Sequence, residues 1–208
     1  MYRSDRDLKF AVETGQLIVD PSPTEYDTTS IDLHLDRVEE AKFWDVDAFK
    51  AKQADAGGDL WLPVGRYQFR AFSQEFYRSL PTDPTLANRV YRVGDRVILR
   101  PGGFFLWQTR EVVGTPEVDP RLICFIDGKS SSARTGLLVH MTAPTIHAGW
   151  WGQITLEIAN LGPFDLCLAE GDAISQIVVA VVSSPPIKRK DDKKIAIGQR
   201  TVGGAAQT

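Results

Sequence analysis

The run Asp127–Asn160, DGKSSSARTGLLVHMTAPTIHAGWWGQITLEIAN, decides how the rest of the chain is read. It opens on small and hydroxyl-bearing residues, Gly128-Lys129-Ser130-Ser131-Ser132-Ala133-Arg134. It closes on a strand pattern, with Ile154, Leu156 and Ile158 on one face and Gln153, Thr155 and Glu157 on the other. Between them lie apolar Leu137-Leu138-Val139, then Thr142-Ala143-Pro144, then a turn expected at His147-Ala148-Gly149. A cluster able to hold an anion and a strand-borne carboxylate therefore fall within one compact unit.

Outward from this run the chain reads as many short strands broken by Gly and Pro. Ser30-Ile31-Asp32-Leu33-His34-Leu35 alternates cleanly, with Ile31, Leu33 and Leu35 inward. Leu17–Val19, Arg96–Leu99, Phe104–Val113, Leu122–Ile126, Asp165–Leu168 and Ile174–Val182 are further strand candidates. Tyr67–Arg70 is read as another. Ser4 as N-cap, the stripe Leu8, Ala11 and Val12, and Gly15 as the stop predict a short N-terminal helix of about three turns. Phe43, Trp44, Val46 and Phe49 are spaced for a short amphipathic helix inside the least legible stretch, residues 36–60. The expected fold is mainly β, a distorted barrel or jelly roll. Residues 1–184 form one domain, and the charged, then Gly/Ala-rich stretch 185–208 forms a tail.

Composition narrows the function. With 24 Lys and Arg against 27 Asp and Glu, the net charge is −3, which does not favour a nucleic-acid polymer or an acidic membrane as partner. No apolar run reaches the length of a membrane span, and the charged start MYRSDRDLKF is unlike a secretory leader. A reducing, cytoplasmic setting is expected. Cys124 and Cys167, each alone in an apolar run, read as buried small hydrophobes.

Several motif readings fail on a single position. A phosphate-binding P-loop needs glycine where Ile123 stands. Zinc nucleobase deaminases need H-x-E and P-C-x-x-C, and neither occurs. There is no G-x-S-x-G elbow, and His34, His140 and His147 lack the spacing of a metal site. GKSSSAR remains either an anion cradle with a forked guanidinium or a helix cap beside a solvated Arg134. Glu157 remains either a surface glutamate or a general base on water. Trp150-Trp151 reads as packing, at a subunit interface for instance. The basic run Lys188-Arg189-Lys190 is either a solvated tail or a lid over a polyanion.

Taken in order and at their spacing, DGKSSSARTGLLVHMTA and AGWWGQITLEIAN resemble the dCTP deaminase family of the trimeric dUTPase superfamily. SIDLHL at 30–35 resembles the family's S-x-D-x-x-L segment, and SDRDL at 4–8 its N-terminal helix start. The resemblance implies a dUTPase-like β subunit, a homotrimer, and sites shared between neighbouring subunits. It implies hydrolytic deamination at C4 of cytosine without zinc, on a small-molecule nucleotide whose triphosphate carries Mg2+. Glu157 matches the catalytic glutamate, and Ser130 and Arg134 match residues supporting the chemistry. Ala143 matches a residue whose carbonyl lies near the reacting base. Lys129, Ser130, Ser131, Ser132, Ala133 and Arg134 match the phosphate-contacting segment, and Thr155 and Leu156 match pocket-lining positions. Thr145 and His147 stand at substrate-contacting positions; one deaminase type has His-Arg at 144–145, and the family usually has Asp at 147. Lys194 and Gln199 match the C-terminal lid with a one-residue shift, without its tyrosines.

Overall fold

Alternation sets the longest strands, and their pairing sets everything else. The computed structural model describes residues 1–65, 67–85 and 89–187. In chain order, α1 (Asp5–Glu13) leads to β1 (Ile18–Asp20), β2 (Ser30–His34) and β3 (Lys42–Trp44). Two helices follow, α2 (Val46–Asp55) and α3 (Phe69–Phe76), and then β4 (Tyr77–Ser79), β5 (Val90–Val93) and β6 (Arg96–Leu99). The long β7 (Phe104–Gly114) precedes β8 (Leu122–Gly128), α4 (Ser130–Ala133), β9 (Leu137–Leu138) and β10 (Thr145–Ile146). The chain continues through β11 (Trp151–Asn160), β12 (Leu166–Ala169) and β13 (Ala173–Val181).

A six-stranded sheet runs β4-β3-β7-β11-β9, with β1 also paired to β7. A four-stranded sheet runs β10-β8-β13-β2, and a three-stranded one β12-β6-β5. The fold is mainly β, with the expected N-terminal helix. The sheets do not close into a barrel: β4 and β9 end one, β10 and β2 the other, and a lone bridge Leu35↔Thr109 joins them.

One core lies between the two larger sheets. β7 contributes Phe105, Trp107 and Val113, and β11 contributes Leu156 and Ile158, all at or near zero exposure. Ile31, Leu33 and Leu35 meet them from β2 and the residue after it, as their alternation predicts. Each such side chain contributes about 2 kcal/mol through area removed from water. Cys124 belongs to this core, and burial pushes its thiol up to about 12. Cys167 does not; it is exposed, contrary to the expectation that both cysteines are interior. Among the described residues no helix is long and apolar enough to cross a membrane.

The stretch least legible in sequence departs most from its reading. Phe43 and Trp44 lie in β3, and the helix starts only at Val46, after Asp45 accepts from the Ala48 N–H at 2.9 Å. Tyr67–Arg70 is not a strand: from Phe69 the chain is the helix α3. Phe69, Phe72 and Phe76 recur at helical spacing, which outweighs the two-residue alternation of Tyr67 and Phe69. Phe72 packs against Trp44 and Phe76 at centroid distances of 5.0 and 4.9 Å.

Two side chains of β7 fix the geometry around it. The buried Glu111 carboxylate accepts from the His34 N–H at 2.8 Å, lies 2.8 Å from His34 Nδ1, and accepts from Arg110 Nη2 at 2.9 Å. It clamps β2 to β7. Thr109, fully buried, donates to the Glu111 carbonyl at 2.8 Å and accepts from the Ile154 N–H at 3.0 Å. That second bond sits where the β7–β11 register shifts between Gln153 and Thr155, a β-bulge. Replacing Thr109 by the isosteric Val strands both backbone groups. The variant is expected to lose about 1–3 kcal/mol in denaturant unfolding; unchanged stability would mean the hydroxyl does not hold the bulge. Glu111→Ala, which leaves the His34 N–H without its acceptor and the part-exposed His34 and Arg110 side chains to solvent, is expected to cost about 1–3 kcal/mol in the same measurement.

Candidate active site

Strand register brings the site together. In an antiparallel sheet, residues directly opposite share a face. Glu157 lies opposite Leu106, Leu106 opposite Lys42, and Trp44, two residues on from Lys42, opposite Tyr77. Glu157, Leu106, Trp44 and Tyr77 therefore share the face away from Trp107 and Leu156. With Phe104 and Thr155 they form the floor of a cavity of about 420 Å³. Its other wall is the segment Ala143–His147, with Trp150 and Ile126. Phe69 closes one side from α3.

That wall is held by backbone bonds. Pro144 accepts from the Ile126 N–H at 2.8 Å, and β10 pairs with β8 through Thr145↔Phe125 and Ile146↔Cys124. The turn expected at His147–Gly149 is present: Trp150 N–H donates to the His147 carbonyl at 3.1 Å, and Gly149 has φ of 82°. A side chain at Gly149 would be strained, which is why glycine stands there. The Gly149 N–H donates to the buried Thr115 hydroxyl at 2.7 Å, tying the turn to the residue after β7.

The Glu157 carboxylate is half-buried in this cavity and accepts from the Met141 N–H at 3.2 Å. The cavity is largely apolar around it. Tyr77 lines the same cavity, and its hydroxyl oxygen is buried and makes no hydrogen bond among the described residues. Burial first, then the neighbouring Tyr67 and Glu157, hold the Tyr77 phenol well above its ordinary range. Gln153, at the bulge, donates to Asp36 at 2.9 Å and to the Thr109 carbonyl at 3.0 Å. Gln153, Ile154 and Thr155 all border the cavity beside this register shift, where β7 has extra residues opposite Ile154.

The structure thus gathers Glu157, Ala143, Thr145, His147 and Thr155 around one cavity. Leu156 is not among them: it is 1% exposed, on the core face, because neighbours along a strand point to opposite sides. The serine–arginine segment lies elsewhere in the same chain. Lys129 stands at the N-cap position of the single turn α4 without a side-chain cap and pairs with Asp32 of β2. Ser130, Ser131, Ala133 and Arg134 are exposed, Ser132 is half-buried, and none of them borders the Glu157 cavity. Arg134 makes no ion pair among the described residues. The turn is tightly placed, since Gly136 (φ 97°) lets the chain pass so close to Gly162 that a Cβ would lie 2.1 Å from its nitrogen. Lys194 and Gln199 lie outside the described residues, as do Lys188-Arg189-Lys190.

Trp44, Phe69, Tyr77, Phe104 and Leu106 are cavity residues that the sequence reading does not single out. The signal available was faint: an aromatic-rich segment with phenylalanines at helical spacing, without anything to say which strand it would join.

The dCTP deaminase-like family model matches residues 2–182. The dUMP-forming dCTP deaminase of Thermobifida fusca is 34% identical over 191 residues, covering 89% of this chain and 80% of that protein. The dCTP deaminase of Thermomicrobium roseum is 30% identical over 210 residues, covering 96% and 90%. Among solved structures, the 2'-deoxycytidine 5'-triphosphate deaminase from Agrobacterium tumefaciens superposes with a TM-score of 0.56 at 16% identity. It covers 87% of this chain and 48% of that one, so this chain spans about half its length, and the likeness is one of fold. The family model runs from the N-terminal helix to the last strand, and the strands that carry the cavity all lie inside it: the chain belongs to the dCTP deaminase-like family.

Proposed function

We propose that this chain is a dCTP deaminase, with Glu157 as the general base and acid. The observation that carries the reading is a single carboxylate set in a largely apolar cavity of about 420 Å³, roomy enough for a pyrimidine nucleoside, facing the Ala143–His147 segment. Water is a weak nucleophile at neutral pH, so an adjacent carboxylate must take its proton as the C–O bond forms. Water adds to C4 of the cytosine ring; Glu157 accepts its proton and delivers it to the ring nitrogen N3. The tetrahedral carbon then expels the 4-amino group as ammonia, the remaining proton transfers again passing through the carboxylate, and uracil is left. The carbonyl of Ala143 would orient the reacting edge, and the cavity walls would hold the ring in place.

The triphosphate, with the Mg2+ it brings as part of the substrate, needs donors that the cavity of one chain does not supply. Ser130, Ser131, Ser132 and Arg134 have the chemistry for it, and they stand exposed away from Glu157 of their own chain. A homotrimer in which a neighbour's serine–arginine turn completes each cavity reconciles the two. Arg134 would then grip phosphate oxygens in the forked geometry that Lys cannot match. Residues 185–208, with Lys194 and Gln199, are proposed as the lid.

The product assigned here is dUTP. His147 stands where the family usually places an aspartate that in dUTPases serves water attacking the phosphate, so that carboxylate is missing from its place here. A second reading, release of dUMP and pyrophosphate, is favoured by the relative from Thermobifida fusca, whose name is dUMP-forming.

Incubation with dCTP and Mg2+ is expected to release ammonia and dUTP, resolved by chromatography; dUMP would establish the second reading. Glu157→Gln is expected to lower turnover by about 10²–10⁴-fold while dCTP binding by calorimetry stays within a few fold. A Glu157→Gln enzyme at full speed would end the assignment of the base.

A further inference from the structure

We propose that Trp44 is a substrate-binding residue of this site, its indole giving the flat face against which the pyrimidine ring packs. The inference rests on the deaminase reading and goes beyond it, because Trp44 lies in a segment outside the motifs that carry the family resemblance. Three observations lead there. Trp44 lines the Glu157 cavity, and strand register puts its side chain on the Glu157 face of the sheet. Two strand spacings across and two residues along, the Cα atoms of Trp44 and Glu157 are about 12 Å apart. The indole is held in place: the Tyr77 ring lies 4.1 Å away at 41°, Phe72 5.0 Å at 50°, and Phe69 stands edge-on at 6.3 Å and 83°. Yet Trp44 is only half-buried, unlike Trp107 of the core, which has no exposure and donates its indole N–H to the Arg37 carbonyl at 3.1 Å.

The aromatic cluster accounts for a rigid ring; it does not account for that ring lining the same cavity as the Glu157 carboxylate. Of the parts of a nucleotide only the base is flat and aromatic, and offset or tilted stacking on an indole suits it. A triphosphate is repelled by the negative face of the indole, and a sugar gains little from it. The aromatic end of the cavity therefore takes the base and not the rest of the nucleotide. The spacing across the sheet lets one bound ring meet both side chains, the carboxylate at its C4 edge and the indole on its face. The stacking contact is made in ground and transition states alike, so its loss should appear in KM rather than kcat.

Trp44→Leu removes the flat face and keeps an apolar side chain, whereas Trp44→Phe keeps a flat face. Trp44→Leu is expected to raise the KM for dCTP about tenfold or more with kcat within about threefold, and Trp44→Phe to leave both within about threefold. Inhibition of dCTP turnover by dUTP and by 5,6-dihydro-dUTP supplies the chemical control. The two share one polar edge, but saturation at C5 and C6 buckles the ring of the second. The parent enzyme should bind dUTP about tenfold tighter than the dihydro derivative, and Trp44→Leu should bind the two alike. A KM unmoved by Trp44→Leu, an equal rise in Trp44→Phe, or a preference for the flat ring that survives Trp44→Leu would each overturn the proposal. The comparison of the two inhibitors on the parent needs no variant to fold, and equal affinity there overturns the proposal by itself. If the parent enzyme neither binds nor turns over dCTP, the deaminase reading itself fails; an active parent with an unaffected Trp44→Leu variant sinks only the role of Trp44.

Discussion

The antiparallel pairing of β7 with β11 is the constraint from which the rest follows. Its register places Glu157 opposite Leu106 and leaves Trp107 and Leu156 facing the other way. One side of this ribbon is thereby committed to the core and the other to the cavity. A slip of one residue would exchange them, burying Glu157 among Leu33, Phe105 and Ile177 and turning Leu156 outward. The cost of burying an unpaired carboxylate makes that alternative inaccessible. At one place, where β7 has extra residues around Thr109 opposite Ile154, the register shifts, and Gln153, Ile154 and Thr155 all border the cavity there.

How much of this was legible depends on whether a residue's neighbours lie on its own strand. Ile31, Leu33 and Leu35 could be placed inward from alternation alone, and the structure buries them. The turn at His147–Gly149 could be read from glycine chemistry. Alternation also placed Leu156 on the face opposite Glu157, where the structure buries it; only the family resemblance put it in the pocket. The Trp44–Tyr77 pair was hidden for a different reason. Its members are brought to Glu157 through β3 and β4, whose pairing no local pattern announces. A helix at Phe69–Phe76 was legible in a longer window, where the phenylalanine spacing outweighs the local alternation.

The serine–arginine turn poses the opposite problem. Its sequence reads either as an anion cradle or as a helix cap beside a solvated arginine, and within one chain it stands apart from the Glu157 cavity. Lys129 is engaged with Asp32, while Arg134 projects without an ionic partner among the described residues. The short turn is fixed by Gly136 against Gly162, with Ser130, Ser131 and Arg134 exposed; in the proposed trimer they would face a neighbouring subunit. There they would meet the triphosphate held over that subunit's Glu157, so acid–base chemistry and phosphate binding are divided between chains. Such a division ties activity to assembly, since a separated subunit holds only half of each constellation.

Mixing two inactive variants tests that division directly. Glu157→Gln and Arg134→Ala each remove one half, and neither alone should turn over dCTP at an appreciable rate. Unfolded together in equal amounts and refolded, they are expected to regain activity, because about a quarter of the intersubunit sites in random trimers would then combine an intact Glu157 with an intact Arg134. Recovery approaching that fraction of the parent rate is the predicted result. A mixture as inactive as its components would contradict the account, because both residues would then have to act from the same chain.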